Sequence, residues 1–186
     1  TIPAGSTSFT FPASLANGAS YNVSVLTQPA PPLQDCTVTN GTGTVGAAVS
    51  SISLVCSAAE LAYVTEQGAA NNTVLAFRVN ATTGVLSSIG KFAIPDSNAR
   101  HIAVDPTGKF AYVTNVTPPY NIFAFSINAT TGALTSIGTF AAGSSSSSIA
   151  FDPTGKFAYV ANFGGNISAY SINATTGALT SIGPFA

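Results

Sequence analysis

The chain has 186 residues, of which 46% are hydrophobic and only 6% charged, with a net charge of −1. An average soluble domain carries about 25% charged residues, so the polar surface must be built from hydroxyl and amide groups. The five basic residues, Arg78, Lys91, Arg100, Lys109 and Lys156, are scattered and form no patch able to neutralise a run of phosphates, which argues against nucleic acid as a partner.

Chain order begins with alternation. Phe9 and Phe11, an Ala16-Asn17-Gly18 turn, then Tyr21, Val23 and Val25 on one face predict a β-hairpin with a half-buried side. Gln28-Pro-Ala-Pro-Pro-Leu33 cannot continue a ladder, because each proline removes a donor. Cys36 and Val38 then open a strand, a Gly41/Gly43 bend leads to Val45, and Val49, Ile52, Leu54 and Cys56 close the segment. Cys36 and Cys56 each sit in an alternating pattern, 20 residues apart in sequence. That spacing suits a bridge between two strands, worth about 3 kcal/mol and implying an oxidising compartment; the alternative is a pair of buried free thiols.

The order Phe-Thr-Phe-Pro, Tyr-Asn-Val-Ser-Val-Leu-Thr-Gln-Pro, Cys-Thr-Val-Thr-Asn-Gly-Thr-Gly and Val-Cys resembles the immunoglobulin-like modules of bacterial secreted and surface proteins. The resemblance implies a sandwich over residues 1–57 that lacks its opening strands, leaving an apolar slot and an unpaired edge.

Residues 58–186 are dominated by a repeat. His101 to Asn115 returns, with few changes, as Ser148 to Asn162, and Ser126 to Gly138 recurs unchanged as Ser171 to Gly183, with a looser copy at 79–90. A period of about 45–49 residues written in strands and turns belongs to radial or stacked β architectures. Each copy predicts four strands: Ile102–Val104, Phe110–Val113, Asn121–Ile127 and Ala133–Ile137 in the middle copy, with Asp105-Pro-Thr-Gly108 and Asn128-Ala-Thr-Thr-Gly132 as turns. The copies are 58–99, 100–146 and 147–186, and the first lacks the Asp-Pro-Thr-Gly turn. The predicted class is all-β: a partial immunoglobulin-like sandwich followed by about three four-stranded propeller-type blades.

Ala-Tyr-Val-Thr-Asn at 111–115, Asp-Pro-Thr-Gly-Lys-Phe at 105–110 and 152–157, and Asn-Ala-Thr-Thr-Gly-Ala-Leu-Thr resemble the YVTN/lactonase-like seven-bladed propellers related to 6-phosphogluconolactonase. The resemblance implies that His101 and Arg100, opening the inner strand of the second blade, line a central pocket, and that Glu66 and Arg78 of the preceding blade point to the same mouth. Lactone-opening members would use such residues with an acid to activate water or polarise a carbonyl. The third blade carries Ser147-Ser148 where the second has Arg100-His101, so the constellation is not repeated, and His101 also reads as an ordinary polar strand-opener. Three blades cannot close a ring, since known propellers have at least about four.

Eight Asn-x-Ser/Thr triplets, at Asn22, Asn40, Asn71, Asn80, Asn115, Asn128, Asn166 and Asn173, permit glycosylation, although Asn, Thr and Gly are also good turn residues. Asp105 and Asp152 precede prolines and read as turn initiators; no metal-ligand cluster and no cofactor are expected. No apolar run approaches the about 18 residues of a membrane helix, and Thr1 opens no signal peptide, so the chain reads as a processed or excised piece. Low charge, the cysteine pair and the open blades together predict an extracellular or surface protein without catalysis. Its expected role is structural, in an assembly that self-associates or joins further domains of a longer chain, with filaments built by strand addition as one form of it. A fragment of a lactone-hydrolysing enzyme and a carbohydrate- or ligand-binding propeller are the alternatives.

Overall fold

The computed structural model describes residues 8–26, 34–66, 72–95 and 98–185, and every regular element among them is a β-strand. The described residues divide into two compact units, one of residues 8–26 and 36–57, the other of residues 34–35 and 58–185.

In the first unit, β1 (Ser20–Asn22) pairs antiparallel with β3 (Thr42–Thr44), and β2 (Gln34–Thr39), whose first two residues are counted with the second unit, pairs with β4 (Ser53–Ala58). The predicted hairpin between Phe9–Phe11 and Tyr21–Val25 does not form. The Ala16–Ala19 turn is present, with the Ala19 amide donating to the Ala16 carbonyl at 3.0 Å. It delivers the chain to β3 instead: the Gly18 amide bonds Val45 O at 2.7 Å and the Val23 amide bonds Gly41 O at 2.7 Å. Pro12 has no amide to offer a ladder, and the Phe9 and Phe11 rings meet edge to face, 5.4 Å apart. Tyr21 instead lies across Gly43, its partner in register, where a β-carbon would come within 2.6 Å of the Tyr21 hydroxyl. Cys36 and Cys56 form a disulfide joining β2 to β4. Among the described residues the unit has four strands in two ribbons, against the seven or so of an immunoglobulin-like sandwich, and a cleft of about 1170 Å³ lined by Phe9, Phe11, Leu15, Tyr21, Val49 and Leu54 opens within it.

The second unit contains the repeats as consecutive antiparallel sheets. The first has three strands, β5 (Glu60–Glu66), β6 (Thr73–Val79) and β7 (Leu86–Ala93). The second has four, β8 (Ala99–Val104), β9 (Phe110–Asn115), β10 (Asn121–Ile127) and β11 (Leu134–Ala141), and so has the third, β12 (Ser146–Phe151), β13 (Phe157–Asn162), β14 (Ile167–Ile172) and β15 (Leu179–Phe185). Each sheet runs in chain order, as a propeller blade does. The last two strands of every blade carry a bulge at the same place, after Ala76, Ala124 and Ala169.

Side-chain chemistry sets the turns. In the Asn-Ala-Thr-Thr-Gly turns, Oδ1 of Asn80, Asn128 and Asn173 accepts from the amides two and three residues on, at 2.9–3.0 Å. The closing Gly84, Gly132 and Gly177 have φ of +70°, +74° and +71°, a left-handed conformation that glycine adopts without the Cβ penalty. In the Asp-Pro-Thr-Gly turns the Asp105 carboxylate accepts from the amides of Thr107, Lys109 and Phe110 at 2.8–3.1 Å, and also from the Thr107 hydroxyl.

Apolar residues form two clusters, one at each junction of successive blades. Val74 and Tyr63 of the first blade pack with Val113, Phe123 and Leu134 of the second; Phe110, Tyr112 and Ile122 of the second pack with Ile149, Val160 and Leu179 of the third. The middle blade is covered on both faces, so every residue of β9 is buried, while β13 of the third blade alternates between buried and exposed. The same word, Phe-Ala-Tyr-Val, is thus core in one blade and half surface in the next.

Candidate active site

The inner strands β8 and β12 begin beside the ends of β9 and β13, with Ala99 opposite Asn115 and Ser146 opposite Asn162. Both pairings are broken by a bulge at once, between Ala99 and His101 and between Ser146 and Ser148. A bulge leaves one residue outside the ladder and re-aims its side chain; here that residue is Arg100 in one blade and Ser147 in the other. The Arg100 guanidinium lies over the exposed Phe163 ring, 5.4 Å from its centroid, within cation–π range. His101 is exposed, and its Nδ1 accepts a long hydrogen bond of 3.4 Å from the Ile149 amide of the neighbouring blade. In the neutral imidazole an accepting Nδ1 puts the ring proton on Nε2, which is then available as a donor.

The four residues singled out from sequence are not all brought together. Arg100 and His101 are adjacent on β8. Glu66 closes β5 and so sits at the matching end of its own blade, but its Oε2 accepts from the Thr73 hydroxyl at 2.9 Å and Lys91 Nζ at 3.1 Å. Those two bonds, that to Lys91 foremost, hold its carboxyl below the usual carboxylate range. Arg78 is at the other end. Glu66 pairs with Thr73 next to the β5–β6 connection, whereas Arg78 pairs with Leu61 near the start of β5 and donates from Nη1 to Gln34 O at 2.8 Å.

Polar groups that sequence reasoning passed over complete this end of the blades. The Ser146 hydroxyl donates to Asn115 O at 2.6 Å, bonding the second blade to the third. Asn162 Nδ2 donates to Asn166 Oδ1 and Ser168 Oγ, each at 2.9 Å, while its buried Oδ1 has no hydrogen-bond donor among the described residues. The recurring Asn at the end of the Tyr-Val-x-Asn words was the available signal for both.

Of the glycosylation triplets, Asn22, Asn40, Asn128 and Asn173 are exposed, Asn80 and Asn166 are half-buried, and Asn71 lies outside the described residues. Asn115 is fully buried, which leaves no room for a glycan in this fold.

Two overlapping segments of the chain, residues 31–145 and 61–185, match the family described as Lactonase, 7-bladed beta-propeller. Among solved structures, a candidate 6-phosphogluconolactonase of Bacteroides fragilis superposes with a TM-score of 0.60 at 24% identity, over 78% of this chain and 41% of that one. A second, from Bacteroides uniformis, gives 0.55 at 24% identity over 66% and 37%. The periplasmic gluconolactonase of Pseudomonas aeruginosa gives 0.57 at 18% identity over 67% and 36%. The chain therefore spans about two fifths of the length of these structures. None of the curated proteins matches it. The family match overturns the expectation of a non-catalytic structural module, since the repeats are those of the family described as Lactonase, 7-bladed beta-propeller. With both matched segments drawn from the repeats and the stretch just before them, the chain belongs to the lactonase family of seven-bladed β-propellers.

Proposed function

We propose that the chain supplies three blades of a lactonase-like propeller that opens a sugar lactone at the blade end where the inner strands begin. The observation that carries this reading is the Arg100–His101 pair, exposed on a bulged inner-strand start within a fold of lactonase type. Ring opening requires water to attack the lactone carbonyl, and the negative charge that develops on the carbonyl oxygen must be met by fixed donors. Arg100, steadied over Phe163, and the His101 Nε2–H are two such donors on consecutive residues. A cationic Arg also suits a phosphorylated or carboxylated sugar. The Cys36–Cys56 disulfide supports a place in an oxidising compartment, at the cell surface or outside it.

The test is turnover of a gluconolactone and its 6-phosphate by the chain and by any longer protein containing it. His101→Ala should lower kcat/KM by about 100-fold, the effect typical of removing one oxyanion donor, and Arg100→Ala should cost more on the phosphorylated substrate. Equal turnover in wild type and His101→Ala would remove the reading.

A further inference from the structure

In each Asn-Ala-Thr-Thr-Gly turn the fold uses one of the two threonine hydroxyls and one end of the asparagine amide. Oδ1 of Asn80, Asn128 and Asn173 accepts from the amides two and three residues on. The second threonine, Thr83, Thr131 or Thr176, accepts from the amide two residues on at 3.2–3.4 Å. The first threonine, Thr82, Thr130 or Thr175, lends the turn only its backbone amide. Neither its hydroxyl nor the asparagine Nδ2 makes a hydrogen bond among the described residues. An asparagine followed two residues on by a threonine, with alanine between, is the acceptor pattern for N-linked glycosylation. The two groups that pattern needs are the two that the turn leaves over.

Neighbouring blades do not cover these groups. The second blade is packed on both faces, and Asn128 is still exposed. Asn173 is exposed as well and Asn80 is half-buried, and a further blade beside the third would leave Asn173 as open as Asn128. The turns lie at the Phe110 end of the strands, because Ser126 pairs with Phe110, whereas His101 pairs with Thr114 at the other end. A glycan on the turn therefore stands clear of Arg100 and His101. It also leaves the turn intact, since an N-linked asparagine keeps the carbonyl oxygen that accepts from the two amides. Asn115 and Asn166 fail on the same geometry. Asn115 is fully buried, and Asn166 Oδ1 and the buried Ser168 hydroxyl are both taken by Asn162 Nδ2.

We propose that Asn128 and Asn173, and with them Asn80, carry N-linked oligosaccharides on the blade end opposite the candidate site. There they supply the hydrophilic cover that a chain with 6% charged residues lacks. The asparagine Nδ2 attacks the anomeric carbon of a lipid-pyrophosphate-linked oligosaccharide, and the C–N bond forms as the C–O bond to pyrophosphate breaks. One amide proton passes to a base of the transferase, and the lipid pyrophosphate leaves. The inference rests on the oxidising compartment proposed from the Cys36–Cys56 disulfide, not on lactone turnover.

The test is to secrete the 186-residue chain from a eukaryotic cell and map its peptides by mass after an amidase releases the N-glycans in heavy-oxygen water. That treatment converts each glycosylated asparagine to labelled aspartate. Asn80, Asn128 and Asn173 should be occupied, and Asn115 and Asn166 bare. Thr130→Ala and Thr175→Ala should each remove one glycan, and Thr130→Ser should keep it. In chain made without glycans in a bacterial periplasm, neither alanine variant should shift the urea midpoint. A secreted chain bare at Asn128 and Asn173 would overturn the inference. So would a glycan at Asn115, or a lower midpoint in unglycosylated Thr130→Ala, which would give that hydroxyl a role in the fold. The same mapping on protein from its own source separates the two readings. Bare asparagines beside an intact disulfide overturn the sites alone, and bare asparagines beside free Cys36 and Cys56 thiols overturn the compartment with them.

Discussion

The Tyr112 hydroxyl donates to the Gly177 carbonyl oxygen at 2.8 Å, across the joint between the second and third blades and inside its apolar cluster. Tyr112 is fully buried, so its loss leaves the carbonyl unsatisfied and cut off from water. Tyr112→Phe, which keeps the ring, should cost about 1–3 kcal/mol. Tyr63→Phe, at the half-buried equivalent bond to Gly132, should cost less, and Tyr159→Phe in the monomer should cost least. Urea midpoints at low protein concentration give the order; equal losses at all three positions would contradict the packing described.

Gly177 and Gly84 separate backbone strain from steric conflict. Both have φ near +70°, so alanine at either carries the left-handed penalty of about 1–2 kcal/mol. At Gly84 the methyl meets open space, but at Gly177 it would sit 2.5 Å from Phe110 Cδ1. Gly177→Ala should therefore cost about 1–3 kcal/mol more than Gly84→Ala, the usual range for overpacking a core, in the same unfolding measurement.

The repeats are legible in the sequence because each blade uses the same local devices. Asn128 and Gly132 fix a turn through bonds no longer than five residues in sequence, and the word Phe-Ala-Tyr-Val keeps its strand wherever it occurs. What a blade faces is not local: Leu86 and Leu134 occupy one position in the repeat and differ in burial only because of what lies in front of them. The candidate site divides along the same line. Arg100 and His101 are adjacent in sequence, but Phe163 reaches Arg100 from another blade, and no short-range pattern announces it. Arg78 was legible in principle. Once Glu66 pairs with Thr73 beside the turn, a residue five positions further along β6 must lie at the far end of the strand. In the first unit Pro12 and Gly43, which faces Tyr21, outweigh the alternation of Phe9 and Phe11, because a ladder needs donors before it needs a pattern.

Alkaline pH should loosen the first joint. Burial pushes the Tyr63 phenol up to about 12 from its usual 10, and burial also raises Tyr112 and Tyr170. A folded-state value above the unfolded one means the fold favours the neutral hydroxyl. That stabilisation is complete below about pH 10 and is lost progressively as the pH rises towards 12. The urea midpoint of the blades should be flat from neutral pH to about 10 and fall beyond it, with a shallower fall in Tyr63→Phe. An identical slope in that variant would assign the alkaline loss elsewhere.

On the acid side the two Asp-Pro-Thr-Gly turns should behave differently. The Asp152 carboxyl is held below the usual carboxylate range by the Thr154 hydroxyl and by the amides of Phe157, Thr154 and Lys156, against a smaller opposing effect of burial. A depressed folded-state value contributes stability above the ordinary carboxylate range, lost as the pH falls through the folded one. Asp152→Asn should therefore remove part of the acid sensitivity of the third blade while leaving Oδ1 to accept from Phe157. Asp105 makes the corresponding bonds while buried, accepting from three backbone amides. Asp105→Ala strands those amides beneath the second blade and should cost about 2–4 kcal/mol at neutral pH, on the order of one to two buried unsatisfied donors, whereas Asp152→Ala at its more exposed turn should be milder. Unfolding at pH 7 and again below pH 4 resolves both effects, and a milder loss for Asp105→Ala than for Asp152→Ala would show that burial does not set the strength of these turns.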